Sequence, residues 1–184
     1  MKRIAVFCGS NFGTDPGFSE ASVILAKSLV EQNIGLVYGG GSGGLMGRIA
    51  DEVLRLGGEV IGVIPNKLVK KEIAHNNLTE LFVVETMHER KAKMAELSDC
   101  FIAMAGGIGT LEEIIEVFTW SQLDYHDKPC AFLNTNGYYD TLLRFMEEMV
   151  VKGFLRKEQK EKLIIDSDPA ALLRKILLSE KWQT

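Results

Sequence analysis

The chain has 184 residues, of which 46% are hydrophobic and 25% are charged. This composition is typical of a globular protein and not of a disordered or fibrous one. The 21 Lys and Arg against 25 Asp and Glu give a net charge of −4, so there is no overall basic field, and we expect no nucleic-acid partner. No apolar run approaches the roughly 18 residues that span a bilayer, and the first apolar run is too short for a signal peptide. We therefore expect a cytoplasmic protein with no membrane partner, folded as one domain over residues 1–184.

Short apolar runs alternate with longer helical patterns along the chain. This alternation predicts an α/β fold with a single doubly wound, mainly parallel sheet and helices on both faces. The predicted strands are Arg3–Cys8, Gly35–Tyr38, Glu59–Ile64, Glu80–Val84, Cys100–Met104, Pro129–Leu133 and Leu163–Ile165. The predicted helices are Phe18–Gln32, Leu45–Leu56, Met87–Ser98, Leu111–Ser121, Tyr139–Lys152 and Pro169–Ser179.

Three cysteines, Cys8, Cys100 and Cys130, each lie in or beside a predicted strand. Metal-type spacing such as C-x-x-C is absent from the sequence, so we expect no metal site. The cysteines are instead predicted to be buried free thiols.

Three glycine-bearing loops follow predicted strands: Gly9–Asn11, Gly39–Gly44 and Gly106–Thr110. In doubly wound sheets ligands bind beyond the carboxyl ends of the strands, where such loops gather. Backbone N–H groups at a helix start favour an anion, so two long loops of this kind predict a phosphorylated ligand, with tight strand-to-helix turns as the alternative. Neither the dinucleotide fingerprint nor the P-loop pattern is matched, which argues against NAD and nucleoside triphosphates.

The segment Gly40–Gly44 also satisfies the G-x-S-x-G pattern of a serine nucleophile elbow. The match carries little information because glycine fills every outer position. A hydrolase would further need a base, for which His75, His88 and His126 are the candidates. Serine hydrolysis is therefore a weak alternative.

A helix start is predicted at Thr86, because Thr86 and Glu89 have the spacing of a capping box. Arg90 interrupts an apolar stripe of this helix, and a guanidinium turned inward needs an anion or a structural ion pair. Lys91 lies beside the stripe and is predicted to extend to solvent. The stripe consists of Met87, Arg90, Met94 and Leu97.

A second capping box is predicted at Thr110, with Glu113 reaching back to the helix start. Capping alone would explain Glu113. However, Glu112 and Glu113 stand beside a predicted phosphate loop, where two carboxylates would repel the ligand. Stabilisation of an oxocarbenium-like transition state would account for that negative charge.

Three ordered motifs of the sequence resemble the Lonely guy family, the cytokinin riboside 5′-monophosphate phosphoribohydrolases. The resemblance runs from Cys8-Gly9-Ser10 to His126-Asp127-Lys128-Pro129, nearly the whole chain. Such proteins were often labelled possible lysine decarboxylases, but we find no recognisable lysine site for pyridoxal phosphate. The motifs are Gly39-Gly40-Gly41-Ser42-Gly43-Gly44-Leu45-Met46-Gly47, Met87-His88-Glu89-Arg90-Lys91 and Gly106-Gly107-Ile108-Gly109-Thr110-Leu111-Glu112-Glu113.

The resemblance implies a Rossmann-like homodimer that hydrolyses the N-glycosidic bond of a purine nucleoside 5′-monophosphate. The products would be the free base and ribose 5-phosphate, and the substrate would be AMP or an N6-substituted, cytokinin-type nucleotide. No cofactor and no metal are implied.

The resemblance also implies site residues, with Arg90 and Glu113 as the catalytic pair and Glu112 as the residue that holds the ribose. One position departs from the family pattern: Ala105 replaces a proline before Gly106, which predicts a looser loop. The phosphate would lie against Gly106, Gly107, Ile108, Gly109 and Thr110. The remaining substrate-binding positions are Gly41, Ser42, Glu72, Lys91 and Thr119.

A non-catalytic module that binds a nucleotide or a phosphorylated cofactor is the alternative built on the same loops. Glu113 separates the two hypotheses, because an enzyme needs its charge and a binding module does not. The apolar face around Val117, Phe118 and Trp120 is open to two interpretations, a core contact or a contact with a partner subunit.

Overall fold

The computed structural model describes residues 1–69 and 74–183. Within these residues, seven parallel strands form one sheet in the order β4-β3-β2-β1-β5-β6-β7. The strands are β1 (Arg3–Phe7), β2 (Gly35–Tyr38), β3 (Val60–Pro65), β4 (Glu80–Val84), β5 (Cys100–Ala103), β6 (Cys130–Leu133) and β7 (Ile164–Asp166). The predicted parallel sheet is confirmed.

The strand order reverses between β1 and β5. The chain proceeds outward from β1 to β4, then crosses back to place β5 against β1, with Ile4 opposite Cys100 and Phe7 opposite Ala103. The loops that follow β1 and β5 diverge to opposite sides of the sheet. Such a switch point opens a crevice at the carboxyl ends of the strands.

Helices cover both faces of the sheet, as predicted. The longer helices are α1 (Pro16–Glu31), α2 (Gly44–Arg55), α4 (Met87–Glu96), α5 (Ile108–Gln122), α6 (Asp140–Val151) and α8 (Pro169–Leu178). The short ones are α3 (Asn66–Val69), α7 (Lys157–Lys160) and α9 (Glu180–Gln183), with a 3₁₀ turn over Thr135–Gly137. One apolar cluster packs α1, α2 and α8 on one face, and a second packs α4, α5 and α6 on the other.

Local signals explain where several helices begin and end. Asp168 caps α8 by accepting a hydrogen bond from the Ala171 N–H (2.6 Å), and Pro169 occupies the first turn. Gly57 follows α2 at a φ of 81°, which suits a glycine C-terminal cap. The single-turn helices were not predicted because one turn is too short to show a 3.6-residue period.

The core settles two expectations. Val117 and Phe118 are buried in the cluster under α5, so they are core residues, and Trp120 packs partly against the same cluster. Cys8, Cys100 and Cys130 are buried free thiols, as predicted. Burial raises the pKa of the Cys130 thiol to about 12, so it stays protonated at neutral pH. Among the residues described, no helix is long and apolar enough to cross a membrane.

Candidate active site

A cleft of about 410 Å³ opens at the switch point between β1 and β5. The start of α5 forms its floor, the β1 loop forms one rim, and side chains of α2 and α4 form its walls. The polar and glycine residues in its lining are Cys8, Gly9, Ser10, Gly39, Arg90, Gly107, Gly109, Thr110, Glu112 and Glu113. The apolar residues include Met46, Leu68, Met87, Met94 and Ile108.

The floor of the cleft is the N-terminus of α5. Gly107 caps the helix in an extended conformation without a side-chain hydrogen bond. The first helical bond runs from the Leu111 N–H to the Gly107 carbonyl (3.1 Å), so the N–H groups of residues 108–110 precede the intrahelical ladder. These groups and the positive end of the helix dipole make this floor suited to a phosphate.

The capping box predicted at Thr110 is wrong. Helix α5 begins at Ile108, so Thr110 lies inside the first turn and Glu113 in the second. The Thr110 side chain is 4% exposed and packs onto Gly106, where a Cβ would lie 2.1 Å from Thr110 Oγ1. Gly106 must therefore be glycine, and the capping explanation for Glu113 is removed.

The capping box predicted at Thr86 forms in part. Thr86 Oγ1 accepts the Glu89 N–H (3.1 Å), which fixes the start of α4. The Glu89 carboxylate reaches back to the N–H of Glu85 (3.0 Å) rather than to that of Thr86.

Arg90 is buried in the wall of the cleft, with 5% of its surface exposed. Its Nε donates to the Val63 carbonyl (3.1 Å) and its Nη2 to the Gly39 carbonyl (2.8 Å). The Val63 carbonyl belongs to β3 and the Gly39 carbonyl directly follows β2, so the sheet and its adjoining loop orient the guanidinium. The expectation of an inward-facing arginine on the α4 stripe is confirmed.

Gly39 makes the position of Arg90 sterically accessible. A Cβ at residue 39 would lie 2.2 Å from Arg90 Nη2. Since the guanidinium already lies against the Gly39 backbone, any side chain there would displace it. The first glycine of the second loop thus serves Arg90.

Lys91 does not extend to solvent as predicted. Its side chain is 12% exposed, and Nζ contacts Glu112 Oε1 (2.5 Å) and Glu116 Oε1 (3.0 Å). Burial acts to lower the pKa of Lys91, but the two carboxylates outweigh it and the pKa lies above its usual value. Lys91 therefore links α4 to α5 as a charged group and holds Glu112 at the edge of the cleft.

Glu113 lies in the cleft beside the end of β1. Burial raises the pKa of the Cys8 thiol, and the nearby Glu113 carboxylate raises it further. A carboxylate is therefore placed at the switch point, about one helical turn above the N–H groups of the floor.

The glycine loop before α2, Gly39–Gly44, differs from the loop before α5 in the partners of its N–H groups. Helix α2 begins at Gly44, but the N–H groups of Leu45 and Met46 donate to the Gly9 carbonyl (3.1 and 3.3 Å). Gly41 is buried and forms a backbone bridge with Ala74, whereas Ser42 is exposed. Contacts of Gly41 and Ser42 with substrate stay predictions.

His75 and His126 do not support the serine hydrolase alternative, and His88 is exposed on α4. His75 Nε2 contacts Asp51 (2.9 Å), and its Nδ1 accepts the Asn77 N–H (3.3 Å). His126 Nδ1 accepts the Lys128 N–H (3.1 Å), and its ring packs on Phe101. Both rings thus serve local structure.

One predicted contact, Thr119, lies apart from the floor of the cleft. Thr119 is exposed two turns after Glu112 and donates to the Ile115 carbonyl (2.7 Å). Glu72 lies outside the described residues. Among the residues that are described, no group of three or more His, Cys, Asp or Glu could hold a metal ion.

Two tyrosines that contact the segment between β5 and α5 were not predicted from the sequence. Tyr138 and Tyr139 follow the 3₁₀ turn after β6 and donate hydrogen bonds to the carbonyls of Gly106 and Met104. The available signal was an aromatic pair after Asn-Gly at the end of a strand, which resembles an ordinary turn.

Fold and cleft together define a doubly wound α/β protein with a switch-point site suited to a phosphorylated ligand. A family model described as "Possible lysine decarboxylase" matches residues 46–176. Cytokinin riboside 5′-monophosphate phosphoribohydrolase LOG5 of Arabidopsis thaliana is 47% identical over 176 residues, which cover 96% of this chain and 77% of that relative. Its counterpart LOG1 is 50% identical over 171 residues, covering 93% and 79%. The chain belongs to the Lonely guy family of cytokinin riboside 5′-monophosphate phosphoribohydrolases, which confirms the resemblance.

Solved structures support the same architecture. The molybdenum cofactor carrier protein from Chlamydomonas reinhardtii superposes with a TM-score of 0.72 over 97% of this chain and 99% of that chain, at 18% identity. This similarity concerns the fold alone.

Proposed function

We propose that this protein hydrolyses the N-glycosidic bond of purine nucleoside 5′-monophosphates and releases the free base and ribose 5-phosphate. The observation that carries the proposal is that one cleft combines a helix N-terminus, a buried arginine and the Glu113 carboxylate. The first two bind an anion, and the third has a charge that an anion site does not need. Membership of the family supports the same activity.

In this proposal the phosphate lies on the N–H groups at the start of α5. Glu113 comes four residues after Gly109, so it projects from the same side of the helix as the floor. A ribose held by its 5′-phosphate would then extend toward Glu113. Its carboxylate stabilises positive charge developing on the sugar or orients the attacking water.

Arg90 supplies the fixed positive charge. Because Nε and Nη2 are held by carbonyls of β3 and β2, the guanidinium needs little reorganisation when substrate arrives. It anchors the substrate or assists departure of the base. Lys91, which also donates to Glu116, holds Glu112 at the cleft edge, where it binds the ribose hydroxyls.

In this proposal the base lies against the apolar lining of the cleft, which includes Met46, Leu68, Met87 and Met94. Methionine side chains adapt to different apolar shapes. This wall therefore suits a purine with or without an apolar N6 substituent, and we propose both AMP and its prenylated analogues as substrates.

The test incubates the purified protein with AMP, isopentenyladenosine monophosphate and adenosine, and separates base from nucleotide by chromatography. We expect base and ribose 5-phosphate from the monophosphates and none from adenosine. The Glu113→Gln variant should lose about 10²–10⁴-fold in kcat, while its Kd for AMP stays within about threefold because the anion floor is unchanged.

The matched control is Glu158→Gln, which removes an exposed carboxylate on α7 and should leave kcat unchanged. If the wild type binds AMP but releases no base, the chain is a nucleotide-binding module and not an enzyme. Cleavage of adenosine at the same rate as AMP would contradict the proposal that the start of α5 binds the substrate phosphate.

We also propose that the protein is a homodimer. Large apolar side chains are exposed at both ends of α5, with Ile108 82% and Leu123 62% exposed, and exposed apolar surface of this kind favours a partner. Size-exclusion chromatography with light scattering tests the proposal. Leu123→Glu should shift a dimer to monomer, whereas Lys157→Glu on α7 should not.

We further propose that the protein is located in the cytoplasm. Three free, buried thiols are typical of a protein that folds in a reducing compartment. Fractionation of cells that express the full chain, with the protein detected by antibody, would locate it elsewhere if the proposal is wrong.

A further inference from the structure

The segment that joins β5 to α5 has its carbonyl groups held from behind. The Met104 carbonyl accepts from Tyr139 Oη (2.6 Å), the Ala105 carbonyl from the Gly9 N–H (3.0 Å) and the Gly106 carbonyl from Tyr138 Oη (2.5 Å). Three successive peptide groups are thus fixed immediately before the anion floor. Two of the three donors are the tyrosine side chains, which belong to the loop after β6.

Fixing these carbonyls also fixes the N–H groups that follow them. In a trans peptide the N–H points opposite to the C=O of the preceding residue. The hydrogen bond from Tyr138 to the Gly106 carbonyl therefore sets the direction of the Gly107 N–H, and Gly107 lines the cleft. A carbonyl that rotated into the cleft would repel a phosphate, and the tyrosines prevent this rotation.

Both tyrosines are themselves held in place. The Tyr139 N–H donates to Asn134 Oδ1 (2.7 Å), and its ring packs edge-on against Phe132 with centroids 4.9 Å apart. The Tyr138 ring packs edge-on against Tyr139 (5.0 Å) and Phe18 (5.3 Å). Burial raises the pKa of Tyr139, so its hydroxyl remains a donor at neutral pH.

The residue types of the loop restrain its backbone only weakly. Gly106 and Gly107 are conformationally permissive, and Ala105 does not fix φ as a proline would. The hydrogen bonds to the carbonyl oxygens provide an alternative restraint. This restraint does not depend on which side chain stands at residue 105.

We propose that Tyr138 and Tyr139 are positioning residues, which hold the Met104–Gly106 segment so that the start of α5 presents its N–H groups to the substrate phosphate. The substrate side of this inference rests on the function proposed above. The tyrosines touch the loop and not the reacting atoms. Their loss should therefore weaken binding of the phosphate more than it slows the bond cleavage.

The test measures binding of ribose 5-phosphate by isothermal titration calorimetry for the wild type, Tyr138→Phe, Tyr139→Phe and the double variant. Each single variant removes one hydroxyl and should raise Kd about three- to tenfold, as expected for one lost hydrogen bond. The double variant should raise it further. Tyr125→Phe removes an exposed hydroxyl elsewhere and serves as the matched control, with an unchanged Kd.

Steady-state kinetics with AMP should likewise show an effect on binding and not on cleavage: KM should rise in each tyrosine variant, and kcat should stay within about twofold of the wild-type value. A purely structural role would lower the unfolding midpoint and leave Kd unchanged well below that midpoint, which would overturn the inference. Tyr138 is half-exposed, so Tyr138→Phe keeps the test valid even if Tyr139→Phe folds poorly.

Binding of ribose 5-phosphate does not require turnover, so the two proposals fail separately. A wild type that binds ribose 5-phosphate but releases no base contradicts the proposed function and leaves the tyrosine effect measurable. A wild type that does not bind ribose 5-phosphate contradicts the anion floor and the positioning role together.

Discussion

The two long glycine loops have similar sequences but different surroundings. The loop before α5 leaves the N–H groups of residues 108–110 facing the cleft. The loop before α2 gives its first helical N–H groups to the Gly9 carbonyl, and a Cβ on Gly44 would lie 2.3 Å from the Asn11 nitrogen. One loop leaves helical N–H groups open for the proposed ligand, and the other packs against its neighbours. Glycine content alone does not distinguish the two loops, whereas the hydrogen-bond partners of their first helical N–H groups do.

The largest effect on turnover is expected at Gly39. This residue belongs to the loop before α2, which mainly packs against its neighbours, but it lies against Arg90. Gly39→Ala places a Cβ where Arg90 Nη2 lies, and displacement of a catalytic group by about 1 Å reduces turnover about a hundredfold. Steady-state assay with AMP measures the loss. Gly43→Ala in the same loop, whose Cβ would lie 3.3 Å from the Ser10 carbonyl, is the control, and equal kcat values for both variants would remove Arg90 from the mechanism.

The comparison is sharpened by one substitution in each loop. Gly44 has a φ of 58° and no room for a Cβ, so Gly44→Ala should lower the free energy of unfolding by about 1–3 kcal/mol. Gly109 lines the cleft and has open space around a Cβ, so Gly109→Ala should leave stability unchanged. The added methyl group would keep a phosphate from the backbone N–H groups and should raise Kd for ribose 5-phosphate about three- to tenfold. Urea denaturation and calorimetry measure the two quantities. A reversal of the two effects would contradict the assignment of the loops.

A smaller effect concerns the link between α4 and α5. Lys91→Met should lower the free energy of unfolding by about 1 kcal/mol at neutral pH. The pKa of Lys91 lies above its usual value of 10.5, so the contribution of its ion pairs is complete below that pH and disappears as the pH rises through the folded-state pKa. Urea denaturation of both proteins from about pH 7 to pH 11 should show their difference constant at first and shrinking at the alkaline end. A difference that grows with pH would disprove the pairing.

The smallest effect is expected at Ala105. Replacement by proline restricts φ in the unfolded and folded loop and should stabilise the protein by about 0.4–1 kcal/mol. A tighter loop should also exchange its amide hydrogens over residues 106–110 more slowly and raise turnover slightly. Hydrogen exchange and steady-state assay are the measurements. If both loop exchange and turnover are unchanged, the absence of proline does not loosen this loop.

Much of the fold was predictable from the sequence because buried parallel strands are continuous apolar runs. Strands such as Gly35–Tyr38 and Glu80–Val84 were predicted with their observed bounds. The inward-facing position of Arg90 also followed from its place in an apolar stripe. These features depend on local periodicity, which the sequence contains directly.

The remaining features depend on contacts between distant segments. The start of α5 moved from Leu111 to Ile108 because Gly107 takes the capping position and Thr110 packs on Gly106. The burial of Lys91 depends on two carboxylates more than twenty residues away, and its sequence neighbours predicted solvent exposure instead. The tyrosine contacts join positions 32 and 35 residues apart, which no local pattern indicates.

The backbone of Gly9 links the β1 loop to the segment before α5 and to the start of α2. Its N–H donates to Ala105 and its carbonyl accepts from Leu45 and Met46. Because main-chain hydrogen bonds survive most side-chain replacements, most substitutions should leave the backbone geometry of the proposed phosphate site unchanged. The cleft wall of Met46, Leu68, Met87 and Met94 has no such protection. Divergence among descendants of this protein should therefore alter which base is accepted long before it alters the requirement for a 5′-phosphate.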